Sequence, residues 1–370
     1  IAALAEIIAR DGTEAQIRQL LDQLAPIEPI EQWQSAFLGA LYQSPRGAAV
    51  LRRVASGLEK SKWATWIGMI HVNSRAVALD RKSAVAARIE AVEALATTLV
   101  NDDQATETLL TALEPLDLQL AVVRTLRRNL SNSEGQAERA LIRGWSSASP
   151  TSRSEILAAL LSNSSSSLVL LDAVKSKTLT AQELGPAATE RLRSSESPAV
   201  KNRATKLLTS SPSVDMEELI KRYAQEANQI NGNRRQGARL FKKHCATCHR
   251  HCDNGFEVGP GFEQMRGKPT IAFVEAILNP QRMVAPSYAP YTVQLKSGDV
   301  QSGIISNESA TAITVLRAGA VKETILRQDI LQVSATGGSL MPGNLHEVLK
   351  PEDVAHLIKY VRECRSRASR

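Results

Sequence analysis

The sequence predicts a mainly α-helical, multidomain chain. It reads as an α-solenoid over residues 1–227, followed by a smaller helical domain over 228–370 with an antiparallel β insertion at about 287–334. Three observations carry that reading. Apolar residues recur at helical spacing through roughly the first 225 residues, where strand patterns are nearly absent. The run Cys245-Ala246-Thr247-Cys248-His249 follows an amphipathic helical stretch, Gly237 to Lys243. Four β-rich runs then interrupt the helices of the second part.

At 370 residues the chain is too long for one typical domain, and a hydrophobic content of 43% suits real cores. In the first part, helical patterns begin at Val85, Leu118, Thr151 and Ala199, roughly 33 to 48 residues apart. Uneven recurrence of that kind suits degenerate HEAT-like helix pairs, each burying its apolar stripe against its neighbours. Polar breaks at Ser131 to Gly135, Ser146 to Pro150 and Ser194 to Pro198 supply cap and turn residues. Trp63 and Trp66 stand one turn apart and are expected in the core, and His71, the one histidine of this part, is expected to be structural. No nucleophile, metal cluster or phosphate loop stands out here, so a scaffold or docking surface is expected rather than catalysis. The stretch from Met216 to Asn231 finishes the array or links it to the second domain.

Two cysteines separated by two residues and followed by histidine form the attachment signature of c-type haem. Thiols one helical turn apart can each bond a porphyrin vinyl group, and the adjacent imidazole then reaches the iron as an axial ligand. A zinc half-site would need a second ligand pair at comparable spacing, and none follows. A thioredoxin-like dithiol would want a βαβ context, which the flanking helix does not provide. One covalent haem c, held through Cys245, Cys248 and His249, is therefore expected. Ten or so residues on, Gly255 to Phe262 forms a glycine-rich turn. An axial imidazole must donate its other N–H to a fixed acceptor, and the Pro260 carbonyl is expected to take it.

The second axial ligand has several candidates: Met265, Met283, Met341, His244, His251, His346 and His356. His244 and His251 lie too close to His249 to reach the opposite face. Met341 sits in Gly337-Gly338-Ser339-Leu340-Met341-Pro342-Gly343, a loop ahead of the last helical pattern, where proline and flanking glycines can pin a thioether. Core packing suits Met265 and Met283 better. Met341 is the expected ligand.

Further helices are expected over Pro269 to Leu278 and Lys350 to Val361, the latter opened by proline and acidic residues. Its stripe of Val354, Leu357, Ile358 and Val361 should cross the Cys245-bearing helix near Gly237 and Phe241. Between these helices, Tyr291 to Leu295, Val300 to Ile305, Thr311 to Leu316 and Val321 to Arg327 read as a four-stranded antiparallel meander. Cys252 and Cys364 remain, either as a disulfide or as two unrelated thiols.

The region from about Gln236 to Val361 resembles the haem-binding cytochrome c domain of planctomycete and verrucomicrobial proteins. The resemblance rests on the Cys245–His249 run, Val258-Gly259-Pro260, Ala276-Ile277-Leu278-Asn279-Pro280, Ser287-Tyr288, Ser297-Gly298-Asp299 with Gly303, Ser339-Leu340-Met341-Pro342 and the final helix. It implies a class I-like cytochrome c fold in which Cys245 and Cys248 carry the thioether bonds and His249 and Met341 are the axial ligands. The β insertion belongs to that pattern; the additional Cys252 and Cys364 do not. Family members often carry helical repeats before the haem domain and a sugar-dehydrogenase-like propeller before those. No propeller is visible in this sequence, so dehydrogenase activity is not carried over.

Composition bounds the partners. The whole formal charge of +7 falls on the second part, where about 19 Lys and Arg from Asn228 onward face about 12 Asp and Glu. Such a balance is either ordinary solubility charge or a surface that steers an acidic partner. No aromatic-interleaved basic patch points to nucleic acid, and no run of about 18 apolar residues could span a membrane. Haem c is attached outside the cytoplasm, so a periplasmic or otherwise extracytoplasmic location is expected. The opening Ile1-Ala2-Ala3-Leu4 carries no secretory signal, so upstream sequence is expected to have been removed or to lie outside this piece.

Electron transfer by a six-coordinate His/Met haem c, docked to a redox partner through the helical repeats, is the leading expectation. The alternative is a haem relay subunit or fragment of a periplasmic sugar or alcohol dehydrogenase. A gas sensor in which Met341 is displaced ranks third.

Overall fold

The computed structural model describes residues 7, 8, 11–24, 30, 32–55, 63–130, 133–208, 214–282 and 284–364. It is mainly helical with one antiparallel sheet, and it divides into two units, Ile1–Leu170 and Leu171–Arg370. The division falls inside helix Ser164–Lys175, upstream of the expected boundary at 227/228. Two contacts draw intervening helices to the second unit. The Val284 N–H donates to the Gln182 carbonyl at 3.0 Å, within helix Ala181–Arg193. Helix Val214–Gln229 buries Ile220, Tyr223 and Ala224 in the core around Phe241.

The first unit is a succession of short helices whose ends follow local chemistry. Asp102 caps helix Asp103–Leu110 by accepting the Ala105 N–H at 3.0 Å. Ser149 caps Pro150–Leu160 with proline in its first turn, so the expected break at Ser146 to Pro150 is a helix start. In the second unit Pro198 likewise opens helix Pro198–Leu207 after a serine, though Ser197 makes no side-chain cap bond. Ser131 and Asn132 of the first expected break lie outside the described residues. Trp63 and Trp66 are buried, at 6% and 1% exposed, and Trp66 meets Phe37 at a ring separation of 6.4 Å. Arg88, 2% exposed, is paired with the equally buried Glu114 at 2.7 Å. Removing Glu114 would strand the buried Arg88 charge at a cost of about 3–5 kcal/mol, whereas Glu114 keeps a second partner, Arg81, at 2.6 Å.

In the second unit, helices Arg234–His244 and Pro351–Glu363 cross as expected. Gly237 is the reason they can come so close: a Cβ there would collide with the carbonyl oxygen of His356. Val354, Leu357, Ile358 and Val361 line the buried face together with Phe241 and with Phe273, Val274, Ile277 and Leu278 of helix Thr270–Leu278. Phe241 is fully buried and meets Phe262 and Tyr360, both at 5.5 Å. Truncating such a side chain to alanine typically costs about 3–5 kcal/mol.

The sheet has five strands, not four: β1 Pro290–Leu295, β2 Val300–Glu308, β3 Ala312–Arg317, β4 Val321–Leu326 and β5 Ile330–Ala335, in the order β4-β3-β2-β1-β5. β5 returns to pair antiparallel with β1, and its alternation is short and carries only Ile330 and Val333 inward, which is why the run did not read as a strand. Tyr291, Val293, Ile313 and Val315 are wholly buried. The cross-strand pair Ile304 and Leu316 lies instead against Val258, with Cys248 and Ala320 beside it. The Gly319 N–H donates to the Thr247 carbonyl at 2.7 Å, so the turn between β3 and β4 is bonded directly to the cysteine-bearing segment.

Candidate functional site

Helix Arg234–His244 starts at Asn233, whose side-chain oxygen accepts the N–H groups of Arg235 and Gln236. Past His244 the chain makes one further turn. The N–H groups of Cys248 and His249 both donate to the Cys245 carbonyl, at 3.1 and 2.8 Å. Both cysteines and the histidine therefore share a single turn, with the two thiols free and half-buried. Burial, and secondarily the neighbouring Cys248, pushes the Cys245 thiol up to about 12. Burial raises Cys248 as well. A thiol-exchange centre needs the reverse, a lowered thiol pKa.

The glycine-rich turn folds back on this segment through main-chain bonds. The Phe256 N–H donates to Ala246, and the N–H groups of Val258 and Gly259 both donate to Cys248, at 2.9 and 2.7 Å. That brings the Pro260 carbonyl to 2.8 Å from His249 Nδ1. A carbonyl only accepts, so the proton sits on Nδ1 and the Nε2 lone pair is left for a metal. Burial lowers the His249 pKa, against the smaller raising effect of the Pro260 bond, so the ring is neutral at neutral pH. Gly259 was not read as a site residue, yet a Cβ there would stand 2.5 Å from the imidazole Cε1. Phe262 closes the other edge at 5.2 Å, nearly perpendicular to the ring.

Met341 is half-buried in its loop, and the chain fixes that loop at one point. Gln281, in the turn after helix Thr270–Leu278, donates to the carbonyls of Ser339 and Met341 and accepts the Ser339 N–H. Three of the other ligand candidates, His251, His356 and Met265, make contacts of their own. His251 is fully buried and donates Nε2–H to the Val361 carbonyl at 3.1 Å. His356 accepts the Asn233 N–H through Nδ1 at 3.0 Å. Met265 packs on the helical core; the His346 carbonyl takes the Tyr223 hydroxyl, while its buried imidazole Nδ1 has no hydrogen-bond partner among the described residues. Met283 lies outside the described residues.

Cys252 and Cys364 are joined as a disulfide, with Cα atoms 6.4 Å apart. Among the described residues the one group with metal-ligand spacing is His251, Cys252 and Cys364, and its sulfurs are bonded to each other. No third and fourth ligand among the described residues join Cys245 and Cys248 at the spacing zinc requires. Two free thiols on one turn, beside a neutral imidazole with one nitrogen committed to a carbonyl, form a donor set that fits covalent haem. No protein-family model matches the chain, and no curated protein matches it.

Proposed function

We propose that this chain transfers single electrons through one haem c. Cys245 and Cys248 would hold it through thioether bonds, and His249 and Met341 would ligate its iron. The observation that carries the reading is the bond from His249 Nδ1 to the Pro260 carbonyl within a Cys-x-x-Cys-His turn. When bound, the haem supplies reversible one-electron iron chemistry, and a thioether ligand raises its potential. The chain's part is positional. Pro260 fixes the tautomer and direction of the His249 ring, Gly259 lets the loop close over it, and Gln281 holds the Met341 loop. The turn between β3 and β4 braces the segment through the Gly319 N–H bond to the Thr247 carbonyl.

The helical region is read as a solenoid-type array that docks a redox partner protein, and the basic second unit suits an acidic acceptor. The Cys252–Cys364 disulfide supports an oxidising, extracytoplasmic setting. No helix among the described residues is long and apolar enough to cross a membrane.

Expression with a haem c maturation system, followed by intact mass and a pyridine haemochrome spectrum, tests the proposal. One covalent haem is expected, lost in Cys245→Ser with Cys248→Ser. The weak far-red absorption of thioether-ligated ferric haem should be present and should vanish in Met341→Ala. Colourless protein of unmodified mass would sink the reading.

A further inference from the structure

We infer that Gln281 is the positioning residue of the Met341 loop, a latch that keeps the thioether presented; this rests on the reading of Met341 as an axial ligand. One side-chain amide makes three hydrogen bonds to that loop. Its oxygen accepts the Ser339 N–H at 2.7 Å, and its nitrogen donates to the carbonyls of Ser339 and Met341 at 3.1 and 3.0 Å. Of the residues with this reach, only glutamine offers both an acceptor and two donors without charge. The partners are main-chain groups on either side of Leu340, so the amide sets the path of the backbone into Met341 regardless of the loop's own sequence. Gly338 makes room for it: its φ is +68°, and a Cβ there would stand 2.6 Å from the Gln281 oxygen.

The latch has a firm base. Gln281 follows helix Thr270–Leu278, which buries Phe273, Val274, Ile277 and Leu278 in the core. The Arg282 N–H bonds the Asn279 carbonyl at 3.1 Å, and the Arg282 side chain is paired with Glu275. Three residues beyond Gln281, Val284 is tied to Gln182. The loop supplies just one bond of its own, from the Met341 N–H to Ser339 Oγ at 3.1 Å. With the amide removed, the Met341 N–H to Ser339 Oγ bond is what remains, among the described residues, of the hydrogen bonds holding residues 339–341.

The test compares Gln281→Leu and Gln281→Glu with wild type, using the full chain carrying haem. Leucine keeps the volume and removes all three bonds. Glutamate keeps an acceptor for Ser339 N–H but turns a negative oxygen toward two carbonyls. Both variants should retain covalent haem and the His249-side spectrum. Hydrogen exchange at the Ser339 and Met341 amides should accelerate at least about tenfold in Gln281→Leu. Its ferric far-red band should weaken, and the reduced protein should take up CO more readily than wild type. Gln281→Asn, whose shorter side chain presents the same groups, should recover part of the protection. Wild-type exchange and an unaltered band in Gln281→Leu would overturn the latch. A band that persists in Met341→Ala would instead overturn the ligand assignment, and with it the thioether-presenting role.

Discussion

The turn that carries His249 and the loop that carries Met341 are built by opposite means. The bonds that aim the His249 ring close locally, within 11 residues, although Thr247, His251 and Cys252 also tie the segment to the sheet turn and the C-terminal helix. The Met341 loop is held from outside, by a side chain 58 residues from Ser339 and 60 from Met341. In the first arrangement the groups that orient the ligand come from its own short segment. The second exists only once helix Thr270–Leu278, the sheet and the C-terminal helix have packed. A ligand attached locally is hard to lose, whereas one presented through a distant contact can be tuned or released by changes far from it.

The largest expected effect erases this contrast. The Cys252–Cys364 bridge spans 112 residues, and the Met341 loop lies inside the segment it closes. It also ties the chain just past His249 to the end of helix Pro351–Glu363. Cys252→Ser with Cys364→Ser should lower the stability of the second unit by roughly 4–5 kcal/mol on the loop-entropy account. Denaturant unfolding, followed at both sites by exchange, should then show them opening together. An unchanged midpoint would mean the bridge contributes nothing.

A pH effect of intermediate size separates the first unit from both sites. His71 is stacked beside Tyr42, and burial drives its pKa from 6.5 down to about 4. Its folded value lies below its unfolded one, so the unfolded chain takes up the proton first as pH falls. Stability fully present above about pH 6.5 is therefore lost progressively toward pH 4, by about 2–3 kcal/mol. His71→Gln should flatten that dependence in the first unit and leave exchange at Val258 and Ser339 unaltered. An identical acid profile with glutamine would assign the loss to other groups.

How legible each part was follows from the same distinction. The Cys245–His249 run, the Pro260 acceptor and the crossing at Gly237 were all readable because motif spacing and helical period encode contacts within a turn or along a helix face. Four strands were readable from alternation, but β5 was not, because only two of its residues point inward. Gln281 could not be found at all. A lone glutamine after Asn279-Pro280 carries no pattern, and its partners are main-chain atoms that any sequence supplies. Gly259 had a weaker signal: a glycine directly before the acceptor proline marks a place where backbone must approach a ring. Helix Val214–Gln229 read as either the end of the array or a link to the second domain, because amphipathic spacing says that a face is buried, not against what.

Gly259→Ala probes the local side. The new methyl would press on the His249 ring at 2.5 Å, so either the ring or the loop must give. Overpacking of this kind costs about 1–3 kcal/mol. Exchange of the His249 Nδ1 proton should quicken, with the Met341 loop unaffected. If the Nδ1 proton stays as protected as in wild type, the close approach is not what holds the ring.

The smallest change asks whether the loop really depends on its distant partner. Ser339→Ala removes the bond between Ser339 Oγ and the Met341 N–H, the loop's own contribution, and leaves all three Gln281 bonds possible because they use main-chain atoms at 339 and 341. One neutral hydrogen bond at a half-buried site is worth about 1 kcal/mol. Exchange at Met341 should rise about fivefold, while the Ser339 amide, bonded to Gln281, should keep its protection. A loss at both amides as large as in Gln281→Leu would mean that the loop stabilises itself. The two sides of the site would then be alike, each held by its own residues.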